Sequence, residues 1–134
     1  FRYVLKTIAS GAVEGGDSTT AVASGDTVKI GLLPAGFRLI DSEIIVKTGL
    51  TATITAKAGF AYADGVDSTD VPQDDDFFGT GIAVATAGRY RNATSNASVT
   101  LPKEAWLTLT TAVAANAKAS ELEIIVFAIN EGVA

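Results

Sequence analysis

Between residues 64 and 76 the chain reads DGVDSTDVPQDDD and carries six carboxylates, Asp64, Asp67, Asp70, Asp74, Asp75 and Asp76. Carboxylate oxygens are hard ligands, and such a run suits Ca²⁺. The spacing is not that of an EF-hand loop, however, because the glycine and the terminal glutamate are missing from their places. Asp is also a turn former and a solubilising charge. The run therefore has three readings: a solvated acidic loop, which is preferred, an electrostatic contact to a partner, or a cation site built from those six residues. Glycosidase chemistry would need two carboxylates across a sugar cleft, and nothing in the pattern marks one.

Other chemistry is thinly supplied. The 134 residues contain neither histidine nor cysteine. That removes the usual general base, the commonest zinc ligand, the thiol nucleophile and any disulfide. Glycines 11, 15, 16 and 25 are not followed by the Gly-Lys-Ser/Thr of a phosphate loop. No catalytic residue, resident metal or cofactor is expected. Trp106, Tyr3, Tyr62 and Tyr90 are the residues that could stack on a sugar, yet three of them fall in strand patterns where core packing is the expected role. Tyr90, between Arg89 and Arg91, reads instead as an exposed contact residue. Asn92-Ala93-Thr94 and Asn96-Ala97-Ser98 match the glycosylation acceptor pattern, which arises readily by chance in polar loops.

A net charge of −5, with only Arg89-Tyr90-Arg91 locally basic, argues against nucleic acid as a partner. No apolar run approaches the roughly 20 residues that span a bilayer, and no basic segment precedes an apolar one at the start, so a soluble chain without a membrane partner is expected.

The elements that would position these residues are strands. Val28 to Leu32 and Phe37 to Val46 are apolar, β-branched runs separated by Pro34-Ala35-Gly36, a turn sequence that predicts a hairpin. Val28, Ile30 and Leu32 share one face; Ile40, Ser42, Ile44 and Val46 share another, with Asp41, Glu43 and Lys47 opposite. Phe1 to Ala9 alternates and reads as a strand or an arm, and residues 10 to 24 (SGAVEGGDSTTAVAS) as a mobile loop. Ala52 to Ala63 alternates Ile54, Ala56, Ala58, Phe60 and Tyr62 against threonines and lysine. Strand character resumes at Phe77 to Thr86, passes through a polar stretch at 89 to 99, and returns at Ala105 to Thr111. Residues 112 to 120 read as one helical turn or a loop.

The last strand, Glu121 to Asn130, is apolar on both faces, with Leu122, Ile124, Val126 and Ala128 against Ile125, Phe127 and Ile129. Such a strand is central or covered by another subunit. With about eight strands and no long amphipathic helix, the expectation is an all-β fold: one two-sheet β-sandwich domain over residues 1–134, with a jelly roll favoured and residues 1–24 as an N-terminal arm and loop.

Gly-Asp-Thr-Val-Lys-Ile-Gly (25–31), Leu-Leu-Pro-Ala-Gly (32–36), Gly-Phe-Ala-Tyr-Ala-Asp-Gly (59–65), Ala-Thr-Ala-Gly (85–88) and the closing Leu-Glu-Ile-Ile-Val (122–126) together resemble small virion proteins of tailed bacteriophages. The resemblance spans roughly residues 25 to 130, is greatest to head decoration or cement proteins, and carries no catalytic signature. It implies a non-enzymatic protein on the outer surface of a capsid, bound to the major capsid protein and to copies of itself as a dimer or trimer. The rival is a receptor- or carbohydrate-binding sandwich of a tail or fibre; a hydrolase using Asp and Glu alone is a distant third. Contacts to a partner are expected from Phe1, Arg2, Tyr3 and Val4, from Arg89, Tyr90 and Arg91, and from Ile125, Phe127 and Ile129.

If the aspartate run is solvated, EDTA leaves the melting temperature unchanged. A structural cation would instead stabilise the native state by mass action, and its removal would lower melting by several degrees, reversibly on adding calcium.

Overall fold

The computed structural model describes residues 1–132 and contains nine strands: β1 (Arg2–Thr7), β2 (Thr27–Leu33), β3 (Phe37–Thr48), β4 (Thr55–Tyr62), β5 (Asp74–Ile82), β6 (Gly88–Arg91), β7 (Val99–Thr100), β8 (Ala105–Ala112) and β9 (Ser120–Asn130). They form two antiparallel sheets. One runs β1-β9-β3-β6, with the short β7 also paired to β3, and the other runs β2-β8-β4-β5. The all-β two-sheet sandwich expected from the pattern is the fold, and no helix is present among the described residues. Strand pairs are nested, β1 with β9, β2 with β8, β3 with β6 and β4 with β5, so that the two ends of the chain meet in one sheet.

The predicted hairpin is not there. Pro34-Ala35-Gly36 does turn the chain, with Gly36 at φ 83°, but β2 and β3 belong to different sheets and the turn carries the chain across the sandwich. Both strands also contain a bulge, which the period-two reading missed. A register shift between Leu39 and Asp41 puts Leu39 in the core and leaves Ile40 half-exposed; one between Lys29 and Gly31 does the same for Leu33 and Leu32. An extra residue in one strand exchanges the faces beyond it.

Between the sheets, Leu5, Leu39, Ile44, Val46, Leu122, Ile124 and Val126 meet Ala56, Ala58, Phe60, Leu107 and Leu109. Each large apolar side chain buried in this way contributes roughly 1.5–3 kcal/mol before entropy is charged against it. The β4 alternation holds as predicted, and β9 is central, flanked by β1 and β3. β5 begins three residues earlier than expected, at Asp74, and its register against β4 is broken. Consecutive Phe77 and Phe78 are both buried, with Phe77 edge-on to Phe60 at 5.5 Å and to Phe78 at 5.0 Å. The β5 backbone at Asp74 crosses so near Gly59 that a Cβ there would lie 2.0 Å from the Asp74 carbonyl oxygen. Only glycine fits under that crossing.

The N-terminal segment lies within the chain's own sheet. β1 pairs with β9 from Arg2↔Ile125 to Thr7↔Ser120, and the Val126 N–H donates to the Phe1 carbonyl at 2.7 Å. The loop after it is packed, not loose: Ala12 and Val22 are buried, and Ile8 N–H donates to Ala12 O at 2.9 Å. Asn116, which the sequence pattern does not single out, is its anchor. Its buried side-chain amide shares hydrogens among Thr7 Oγ1, Gly11 O and Lys118 O, while its Oδ1 accepts from Thr51 N–H at 3.0 Å.

The seam between the edge strands β1 and β2 is closed by Tyr3. Its ring lies over Gly31, where a Cβ would fall 2.3 Å from a ring carbon, and its hydroxyl donates to the Leu32 carbonyl. Gly31→Ala should therefore destabilise the domain by about 1–3 kcal/mol, as overpacking does. In a Tyr3→Ala background the same substitution should cost little, and a double-mutant cycle by chemical denaturation reads the coupling. Additive losses would show that the two residues do not meet.

Candidate interaction surface

The outward face of the five-stranded sheet gathers most of the residues expected to touch a partner. Side chains in a sheet alternate between faces, and residues paired across strands form rows. One row is Arg2, Ile125, Glu43 and Arg91; the next is Val4, Glu123, Ile45 and Arg89; a third begins with Phe127 opposite Asp41. Residues from the start, middle and end of the chain thus share one surface. Val4, Ile40, Phe127 and Ile129 are its half-exposed apolar groups. β1 starts beside Ile125, whereas β9 continues past it to Asn130. Phe1 lies beside that junction with its ring edge-on to Phe37 at 4.9 Å.

Ion pairs surround these apolar groups. Arg2 reaches Glu123 at 2.6 Å, Arg89 reaches Glu43 at 2.7 Å, and Arg91 donates to Asp41. Lys6 and Lys47 share Glu121 at 3.6 and 3.5 Å. Arg38 grips Glu131 with two N–H donors at 2.6 and 3.0 Å, and the Thr100 hydroxyl adds a third at 2.9 Å. These hydrogen bonds from Arg38 and Thr100 hold the Glu131 carboxyl below its ordinary value. For Asp41, burial alone would push the value up, but hydrogen bonds from Arg91 and from the Ser42 N–H prevail and hold it down.

Tyr3 and Tyr90, grouped with these residues on sequence grounds, point the other way. Tyr3 pairs with inward-facing Ile124 and seals the seam described above; Tyr90 pairs with Ile44 and packs against the core, its hydroxyl donating to Thr86 O at 2.7 Å. Alternation puts Arg89 and Arg91 outside and the tyrosine between them inside. Trp106 departs from the expected core role, because it lies half-buried on the outer face of the other sheet with the Lys29 ammonium 5.6 Å from its ring centre. Tyr62 is in the core, with its hydroxyl on Val71 O at 2.5 Å. The four rings occupy separate places and form no shared platform.

The six aspartates are divided in the same way. Asp64 pairs with Lys103 at 2.9 Å and accepts the Val66 N–H, and its carboxyl is lowered, first by the Lys103 hydrogen bond. Asp67 Oδ1 accepts the N–H groups of Ser68 and Gln73, which shapes the loop. Only Asp74, Asp75 and Asp76 converge, with carboxylate oxygens within 4.8 Å of one another, and Lys57 already pairs with Asp75 at 2.6 Å. Burial, followed by the Asp76 carboxylate, raises the Asp74 value. A cleft between the 13–22 loop and the start of β2 has Asp17, Asp26 and Lys29 as its only ionisable lining and belongs to neither group.

Sequence reasoning missed Arg38, Ile40 and Glu131 as members of the outward face. The alternating charges of β3 were a usable signal for the face; the partners, 46 residues away for Arg89 and Glu43, were not.

No family model matches the sequence, and no curated protein matches it. Among solved structures, a chain from the capsid of Ralstonia phage GP4 superposes with a TM-score of 0.64 at 16% identity, covering 99% of this chain and 84% of that one. A chain from the acidic stable capsid structure of Helicobacter pylori bacteriophage KHP30 gives 0.57 at 12% identity, covering 97% and 87%. At these identities the likeness is one of fold, and it runs through the whole sandwich.

The carboxyl shifts set an acid dependence. Asp41, Asp64 and Glu131 are lowered, so their contribution to stability is present above the unfolded values of 3.8 and 4.5 and is lost as pH falls through the folded ones. Asp74 is raised, so acidification relieves it. Carboxyl NMR titration should find Asp41, Asp64 and Glu131 below, and Asp74 above, ordinary values. Melting should fall below about pH 4, less steeply at high salt.

Proposed function

We propose that this chain is a structural protein of a tailed-phage virion, seated on the outer surface of the capsid as a decoration or cement protein. Its partners are the major capsid protein and other copies of itself, as a dimer or trimer. The observation that carries the reading is the match of the whole sandwich to chains from two phage capsid structures. Each matched chain is only about a tenth to a fifth longer than this one, as the paired coverages imply.

Two further features support it. The nested strand pairs, with β1-β9-β3-β6 packed on β2-β8-β4-β5, support the jelly-roll reading, an architecture frequent in capsid proteins. The chemistry supports a non-enzymatic role: histidine and cysteine are absent, and the converging Asp74, Asp75 and Asp76 carboxylates stand on the exposed start of β5, outside the cleft beside the 13–22 loop. The two aspartates of that cleft have no hydrogen-bonded base or oxyanion donor that would make them a reaction centre.

The test is to mix the purified protein with heads that lack it and to sediment them. It should co-sediment at a fixed, saturable ratio and raise the temperature at which the heads rupture. A glycan array probed in parallel should stay blank. Saturable glycan binding without head binding would replace the capsid role with the tail or fibre alternative, and turnover of a polysaccharide abolished by one Asp or Glu substitution would refute the non-enzymatic reading.

A further inference from the structure

Charge is divided unevenly between the two sides of the sandwich. The ion-paired groups on the outward face of the five-stranded sheet comprise six cations, Arg2, Lys6, Arg38, Lys47, Arg89 and Arg91, and five carboxylates. That is six of the chain's ten Lys and Arg but only five of its fifteen Asp and Glu, so this face sums to +1 and the remainder of the molecule to −6. The charges are also layered. In the Arg89–Glu43 pair the cation is 69% exposed and the acid 16%; for Arg91–Asp41 the values are 67% and 27%, and for Arg2–Glu123 63% and 29%. In these three pairs the carboxylate lies low on the sheet and the guanidinium stands over it, whereas Arg38 and Glu131 are equally exposed. An approaching surface therefore meets Val4, Ile40, Phe127 and Ile129 surrounded by arginine.

We propose that this face is the docking side and that it recognises a protein surface of complementary design, an apolar patch rimmed by carboxylates; the proposal rests on the virion reading above and names the chemistry of its partner. Three physical reasons support that occupant. Arg89 and Arg91 each use one terminal nitrogen on their own acid, and a guanidinium has five N–H donors. The remaining donors are available for charge-assisted hydrogen bonds to a second carboxylate. Aromatic and arginine side chains at the centre of an interface carry most of its energy. The −6 side would repel an acidic partner, so the molecule is steered to land with one face down.

The same face is a poor match for nucleic acid, because six cations against five carboxylates leave it only +1, too little positive charge to hold a polyanion. It is also a poor match for its own copy, since arginine layers would meet arginine layers.

The experiment is sedimentation of the full chain with heads that lack it, at about 0.05 M and about 0.5 M salt. Arg89→Glu/Arg91→Glu should bind at least about tenfold more weakly than the unmodified chain, and the unmodified chain should weaken as salt rises. Phe127→Asp, with its side chain already half in water, tests the apolar centre separately and should also lose binding. Asp67→Lys/Asp70→Lys, on the acidic loop, should bind unchanged. Melting curves verify that each variant folds. Undiminished binding by both face variants, loss confined to the loop variant, competition by duplex DNA, or self-association abolished by the arginine substitutions would each overturn the proposal. Failure of the unmodified chain to bind heads would instead refute the virion role itself, which distinguishes the two.

Discussion

The sandwich is built around β9, held by β1 along its first half and by β3 from Glu121 to Asn130. With β1 on one side as far as Val126 and β3 on the other from Glu121 to Asn130, the backbone of its first half is bonded on both edges, and its side chains divide between two environments. Leu122, Ile124 and Val126 complete the core, while Ile125, Phe127 and Ile129 are delivered to the outer face. Over that doubly paired half no backbone group is left for unselective addition of another strand. Pairing on both sides up to Val126 makes a hydrophobic strand the support of a surface.

That support explains why the outer face can be both apolar and well defined. Long side chains on a flat sheet are normally mobile, and isolated surface ion pairs are worth little. Here Asp41, Glu43 and Glu123 are set low and Arg91, Arg89 and Arg2 reach them from neighbouring rows. The apolar groups gain definition from this frame without being covered by it. The other sheet presents a different character, with Trp106 under Lys29 and the acidic start of β5 folded over Gly59.

What was legible in the sequence was local periodicity. β4 and β9 keep the alternation, so their inward residues follow from pattern alone, whereas in β8 Leu107 to Thr111 are all buried and Trp106 lies on the outer face. Bulges are not written in that pattern, and each moved a residue: Ile40 and Leu32 went outside where Leu39 and Leu33 went in. The turn at Pro34-Ala35-Gly36 was recognisable as a turn, but whether it joins neighbours or crosses between sheets depends on strands far along the chain. The same is true of Tyr3 on Gly31 and of Asn116 on Gly11, contacts between residues 28 and 105 positions apart. For the surface, Ile125, Phe127, Ile129, Arg89 and Arg91 could be found from strand alternation, whereas the partners that orient the arginines could not.

The nested order of the strands has a consequence for biosynthesis. β1 leaves the ribosome first and its only in-sheet partner, β9, leaves last, so the five-stranded sheet stays incomplete until residue 130 has emerged. At ordinary elongation rates that delay is on the order of ten seconds. Throughout it Leu5 and the other inward residues of β1 lack the strand that buries them. A sandwich wound in this way closes only once all of its ribbon, β1 through β9, is present.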